Sequence, residues 1–248
     1  PLLSAADALW LKFVGSGELG KEILVGGSYI VAGLILLLLV TNEKSQEKEK
    51  ESQHIFSDLK EGLVYLGENN RLRNALIQLI ILFSVLAALT VLAVRIAEVI
   101  PNLKAEQFGF LLASGGVGIA LGAMVLGQFG QYFSTSRLSL AGSMGMGISL
   151  AGLAIFSQQL WIVLAFICLM GISGALIGIP LQTAIQTETP AQMRGKVFGL
   201  QNNLVNIALT LPLALAGIAE TFFGLQTVFL TLAAIVFCAG ILTRYKSA

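Results

Sequence analysis

The stretch "NALIQLIILFSVLAALTVLAVRIAEV", Asn74–Val99, carries no charge until Arg95. A helix needs roughly 20 apolar residues, each rising about 1.5 Å, to cross a hydrocarbon core about 30 Å thick. This stretch meets that requirement alone. The whole chain agrees with it: 56% of its 248 residues are hydrophobic and 12% charged, against roughly 25% charged in soluble domains. Mean hydropathy is +0.84. Sustained two-residue alternation is missing, and Ala, Leu and Gly dominate, so the spans read as helices and not as strands of a lipid-facing barrel. The predicted class is all-α, a polytopic transmembrane helical bundle.

Working outward, the same signal recurs at Ile23–Val40, Phe108–Phe129, Leu138–Phe156, Leu160–Ala184, Val197–Ala219 and Leu225–Thr243, each bounded by charge, proline or a polar cluster. Basic residues are retained on the cytoplasmic side of a membrane. Six Lys and Arg fall between Thr41 and Arg73, and Arg137, Arg194, Lys196, Arg244 and Lys246 share their side, whereas Lys12, Lys21, Arg95 and Lys104 lie on the other. That split predicts a cytoplasmic C-terminus and an outer location for Pro1–Lys21. The net charge of +1 gives no reason to expect nucleic acid as a partner. The expected partner is the lipid bilayer.

"PLLSAADALW" from Pro1 resembles "PLALAGIAETFFG" from Pro212 once a two-residue gap is allowed, and each precedes one more apolar span and a charged segment. The comparison predicts a duplicated protein. Residues 1–40 would be the tail of an N-terminal bundle that is otherwise missing, 41–73 a cytoplasmic linker, and 74–248 a complete six-helix bundle. In the linker, "TNEKSQEKEKESQ", Thr41–Gln53, has mixed charge and no apolar face, so it reads as solvated. Ile55, Phe56, Leu59, Leu63 and Leu66 then recur at helical spacing, which predicts an amphipathic helix on the membrane face, with Ser57 as a candidate cap. Its simplest role is to connect two bundles.

Few polar residues interrupt the spans. Arg95 and Glu98, three apart at the outer end of their helix, are expected to pair, and Glu220 lies at the outer end of its own span. Gly118 with Gly122, and Gly174 with Gly178, are small-residue pairs suited to close helix approach. Pro180 and Pro212 are candidate kinks. "GSGELGKE", Gly15–Glu22, imitates a phosphate loop, but Glu22 replaces the hydroxyl residue that holds Mg²⁺ and no strand precedes it. Cys168 and Cys238 lack metal or disulfide spacing, and the sole histidine, His54, sits in the charged linker. No hydrolase triad or zinc site can be assembled, so the expectation is a non-enzyme with no cofactor and no metal.

Asn202, Asn206 and Thr210 recur every four residues on one helical face, flanked by Gln201 and Asn203, and the preceding span holds Gln182 and Gln186, again four apart. Amides facing lipid are costly, so this stripe is expected to face protein or water. Amide pairs between helices and a polar cavity wall are both consistent with it.

The duplicated plan, the charged central loop, "LKEGLVYLGENNRLRNAL" (Leu59–Leu76) entering the second half and "TPAQMRGKVFGLQNN" (Thr189–Asn203) between its fourth and fifth spans together resemble the major facilitator superfamily. The likeness is to its drug and siderophore exporters, with lysophospholipid transporters a near relative. It implies a six-helix half preceded by one extra span, in a bacterial inner membrane, working as a proton-coupled secondary transporter that exports a small amphiphilic substrate by alternating access. It also implies that Gln182, Gln186, Asn202, Asn206 and Thr210 border the substrate cavity, with Gln78 contributing from across it. The family's signature loop corresponds to Gly127–Gly142, where Gly127 and Arg137 fit but Gln131 replaces the acid. Arg194 and Lys196, with Glu188 paired to Arg194 across the turn, become cytoplasmic gate candidates beside Arg137; the alternative role is a topology anchor. No carboxylate lies mid-span in a complete span, so a titrating group belongs to the missing half or to Glu98 and Glu220. The alternative to transport is a membrane scaffold that retained the fold.

Overall fold

The structure is a computed structural model and describes residue 30, residues 55–101, 103–104 and 107–247. Apart from Ile30, the expected span Ile23–Val40 lies outside the described residues, as do Pro1–Lys21, the Thr41–Gln53 linker and His54. Contacts divide the chain into two compact units, Pro1–Ser52 and Gln53–Ala248. Among the described residues of the second, the α-helices are α1 (Ile55–Glu68), α2 (Asn70–Val99), α3 (Phe108–Phe129), α4 (Thr135–Phe156), α5 (Leu160–Glu188) and α6 (Arg194–Ser247), with a 3₁₀ turn at Gly130–Tyr132. The architecture is an all-α polytopic bundle.

Helices α2 to α6 are each long and apolar enough to cross a membrane. Helix α6, at 54 residues, is two spans. Its φ/ψ leave the helical region at Gly224 (φ 78°, ψ 158°), a left-handed conformation that costs a residue with a Cβ but not glycine. Packing shows that the chain reverses there. Gly217 lies against Val91 in the second half of α2, whereas Gly240, past the break, lies against Ser143 in the first half of α4. Six membrane-length limbs result. Pro180 and Pro212 lie inside helices that continue through them, so glycine, and not proline, makes the turn.

The limbs of α6 pack on α2 and α4, α3 packs on α5, and α4 also packs on α5. The core runs along α2 through Leu79, Leu92 and Ile96 and meets Met146, Leu150, Ile167 and Phe229, all fully buried. Lipid tails are as apolar as these side chains, so association rests on packing contacts and interhelical hydrogen bonds more than on apolar burial. Close packing is clearest at α3 and α5. A Cβ on Gly118 would lie 2.0 Å from the Cys168 carbonyl oxygen, and one on Gly122 2.8 Å from the Ala175 Cβ. The second expected pair differs. It faces α2, where a Cβ at Gly174 would meet the Leu82 side chain at 3.7 Å and one at Gly178 the same side chain at 3.1 Å, and toward α3 it is Gly171 whose Cβ would lie 2.1 Å from the Gly115 carbonyl oxygen. The α3–α5 contact therefore uses Gly115 and Gly171 as well as Gly118 and Gly122.

Helix α1 forms where its periodicity predicts, but Ser57 is its third described residue and not its cap, because Ile55 is already helical. Gly62 and Leu66 are buried while Leu63 and Val64 remain more than half exposed. The side packed on the bundle is thus centred on a glycine that lets the Lys196 backbone approach.

Candidate functional site

Asn70, Arg71, Ser134, Glu188 and Arg194 gather where α2, α4 and α6 begin and α5 ends, which makes this the basic end of the bundle. Helix α5 stops at Glu188, with Thr189 extended (φ −84°, ψ 119°) as its C-cap. The Thr189 hydroxyl donates to the Ile185 carbonyl at 2.6 Å, the Met193 N–H to the Pro190 carbonyl, and the Arg194 Nε to the Thr189 carbonyl at 3.4 Å. Each bond occupies a carbonyl at or just beyond a helix C-terminus that has no intrahelical donor or that closes the turn.

That use of Arg194 changes the ion pairing. Glu188 pairs with Arg71 of α2, Nε to Oε1 at 3.3 Å, and not with Arg194 as the spacing predicts. Arg194 already holds the carbonyl beside it, so the carboxylate turns to the neighbouring helix. Lys196 pairs with Glu61 of α1. Arg137, in the first turn of α4, is exposed and makes no ion pair among the described residues. The gate candidates therefore share one end of the bundle, Arg194 on its own turn, Glu188 on Arg71, Lys196 on Glu61, and Arg137 exposed.

Deeper along the α5–α6 hairpin, Gln201 Nε2 donates to Gln182 Oε1 at 2.7 Å. Gln182, Gln186, Gln201 and Asn202, with Phe83, Phe198 and Val205, line a cavity of about 490 Å³. Gln201, only 9% exposed, is the residue that the four-residue stripe passes over. The hairpin itself signals it: in an antiparallel pair, residues at similar distances from the turn face each other, and Gln182 and Gln201 stand nine and ten residues from its middle at Ala191. Asn206 and Thr210 do not line this cavity. Both are exposed, and the Thr210 hydroxyl donates to the Asn206 carbonyl at 2.9 Å. The stripe thus runs from the cavity rim at Asn202 onto the open face of the unit.

Gln78 goes elsewhere. It is 3% exposed, donates from Nε2 to Ser143 Oγ at 3.2 Å, and lines another cavity, together with Ser139, between α2, α4 and α5. The periodicity of α2 does not reveal this, since its apolar residues surround Gln78 on all sides. Ser143 in turn donates to the Ser139 carbonyl at 2.9 Å.

At the opposite end Arg95 pairs with Glu98, as the three-residue spacing predicts, and also with Glu220 of α6, Nε to Oε1 at 3.1 Å. The Glu220 side chain is 12% exposed and that of Glu98 40%. One guanidinium therefore ties α2 to the limb of α6 that precedes Gly224, its separate N–H donors reaching two carboxylates at once.

The sequence model of a family described as transmembrane secretion effectors matches residues 26–248. The chain is 26% identical over 224 residues to an uncharacterized MFS-type transporter, YfiS, of Bacillus subtilis, covering 88% of this chain and 53% of that protein. It is 34% identical over 103 residues to the enterobactin exporter EntS of Escherichia coli (40% and 24%). It is 26% identical over 139 residues to the multidrug efflux pump Tap of Mycolicibacterium fortuitum (56% and 34%). The chain spans about half the length of the Bacillus relative and less of the other two.

Proposed function

The chain belongs to the transmembrane secretion effectors of the major facilitator superfamily, and from that premise we infer that it works as part of a secondary transporter that exports a small amphiphilic molecule by alternating access. The complete protein would pair the six limbs of residues 74–248 with a second six-helix bundle, of which residues 1–40 form the end and 41–73 the linker. The basic end faces the cytoplasm of a bacterial inner membrane on this reading, as does the C-terminus, because most Lys and Arg gather on that side.

The observation that carries the proposal is the continuous polar track from the Gln182–Gln201 cavity through Asn202 to exposed Asn206 and Thr210. An amide in hydrocarbon is costly, so this face of α6 meets the other bundle or water between the bundles. Aromatic Phe83 and Phe198 beside a few amides suit an amphiphile whose apolar body is held loosely and whose polar groups are oriented. Relatives named for enterobactin export and multidrug efflux support export as the direction. Coupling to protons is part of the proposal, its titrating acid lying in the other bundle or being one of the outer-end acids Glu98 and Glu220.

The test is efflux from cells or proteoliposomes carrying the full-length protein, with Asn202→Leu and Asn206→Leu combined. Loss of substrate-dependent flux in a protein that remains monodisperse and membrane-inserted is the expected result. Unchanged flux would overturn the assignment of the track. No flux from the parent protein with any amphiphile, with or without a proton gradient, would overturn transport itself and favour a scaffold.

A further inference from the structure

The cavity that takes Gln78 has a volume of about 540 Å³ and does not share the amides of the proposed substrate track. Two of its side chains are buried without complete hydrogen bonding. Gln78 Oε1 and Ser139 Oγ, in residues 3% and 2% exposed, have no partner among the described residues. A buried polar atom left so costs about 1–3 kcal/mol. The Gln78 amide is held by its bond to Ser143, which leaves the carbonyl oxygen as an acceptor in want of a donor, beside a serine hydroxyl able to donate or accept.

The mouth of the same cavity has the opposite chemistry. Ser134, Thr135 and Ser136 line it at the start of α4, a 22-residue helix whose first turn has no side-chain cap. Free N–H groups at a helix N-terminus, in line with its dipole, bind anions. Arg71 stands at the rim, and Glu188, which also lines the cavity, is engaged by it. From Thr135 to Ser139 is four residues, about 6 Å along the helix axis. A ligand that satisfies both ends therefore carries an anionic oxyacid and, roughly one helical turn away, hydroxyl groups that donate to Gln78 and exchange hydrogen bonds with Ser139.

We propose that this cavity binds a glycerol-phosphate group, its phosphate on the first turn of α4 and Arg71 and its hydroxyls on Gln78 Oε1 and Ser139 Oγ. Inorganic phosphate satisfies only the outer half of the site. The group has two sources, the head group of an anionic phospholipid entering from the bilayer or a soluble glycerol phosphate from the aqueous phase, and the recognition chemistry is the same for both.

Binding is measured on the full-length protein in two arms. In phospholipid-free detergent, glycerol 3-phosphate and inorganic phosphate are titrated calorimetrically. In the second arm, native mass spectrometry compares retention of phosphatidylglycerol and phosphatidylcholine. Preference for the glycerol-phosphate probe in at least one arm, by about tenfold as expected for charge-assisted and buried hydrogen bonds, supports the site. Preference in the lipid arm alone identifies a lipid ligand, and preference in the soluble arm identifies a soluble one.

Arg71→Gln is expected to weaken binding of both phosphate-bearing probes about tenfold. Ser139→Ala is expected to remove most of the preference over inorganic phosphate or phosphatidylcholine, and Glu188→Gln to leave binding equal or tighter, because it frees Arg71. Gln78→Leu, which removes the other inner partner of the hydroxyls, serves in place of Ser139→Ala if that variant does not stay monodisperse. No preference in either arm, or a preference untouched by the inner-site variant, overturns the proposal.

Discussion

Gln201 and Gln182 face each other across the α5–α6 hairpin, and their amides are joined at 2.7 Å beside a cavity that Asn202 and Gln186 also line. Hydrogen bonds between membrane helices average about 0.6 kcal/mol and reach about 1.7. A double-mutant cycle of Gln182→Leu and Gln201→Leu, read by unfolding in mixed micelles, is therefore expected to show a coupling of about 1 kcal/mol. A coupling indistinguishable from zero would mean that the two amides serve the cavity and not each other.

Arg71 and Glu188 tie α2 to α5 at the basic end, with side-chain exposures of 74% and 29%. Pairs this exposed contribute about 1 kcal/mol or less, so Glu188→Ala should change thermal stability little. Its effect is expected in accessibility: if the contact closes that end of the bundle, cysteine labelling from the basic side should rise in Glu188→Ala and return to the parent level in the exchanged pair Arg71→Glu with Glu188→Arg. The same labelling in Arg194→Ala should stay at the parent level, because Arg194 bonds a carbonyl of its own turn.

Gly118 and Gly171 admit no side chain without movement of a neighbouring backbone, since a Cβ would stand 2.0 and 2.1 Å from carbonyl oxygens. Gly171→Ala should destabilise the bundle by about 1–3 kcal/mol, the usual cost of forced overpacking. Gly116→Ala, with nothing within 4 Å of the new methyl, is the matched control and should be neutral or slightly stabilising, because alanine favours helix. Equal melting temperatures for the two variants would contradict the α3–α5 packing.

Arg95 holds two carboxylates of unequal burial, Glu220 at 12% and Glu98 at 40% exposure. Glu220→Gln is expected to lower the melting temperature more than Glu98→Gln, because it removes the link between α2 and α6 whereas Glu98 shares a helix with Arg95. Arg95→Gln should be worse than either, since it leaves two carboxylates near one another without the intervening cation. An order in which Glu98→Gln is the most harmful would show that the interhelical contact contributes nothing.

Span limits are written in the sequence, whereas the choice of partner between helices is not. The window Phe108–Phe129 coincides with α3, and Leu160–Ala184 lengthens only to Glu188, because hydrocarbon thickness and the cost of bare backbone polar groups act on every span alike. Arg95 with Glu98 was legible because both lie on one helix at a contact spacing. Glu220 joining them, Arg71 displacing Arg194 at Glu188, and Gln78 turning to Ser143 each depend on how one helix is rotated against another.

What the sequence by itself determined is the solvent, the number and limits of the spans among the described residues, the kinship, and which polar residues cannot face lipid. Only the tertiary structure decided which of them meet. In water an apolar stripe tells a helix which side to bury, but in a bilayer the lipid-facing and protein-facing sides are both apolar, so the rotation of a span leaves little trace in its periodicity. Rotation is set instead by sub-ångström fit at glycines such as Gly118 and by single hydrogen bonds such as that of Gln201, and those exist only once the helices are side by side.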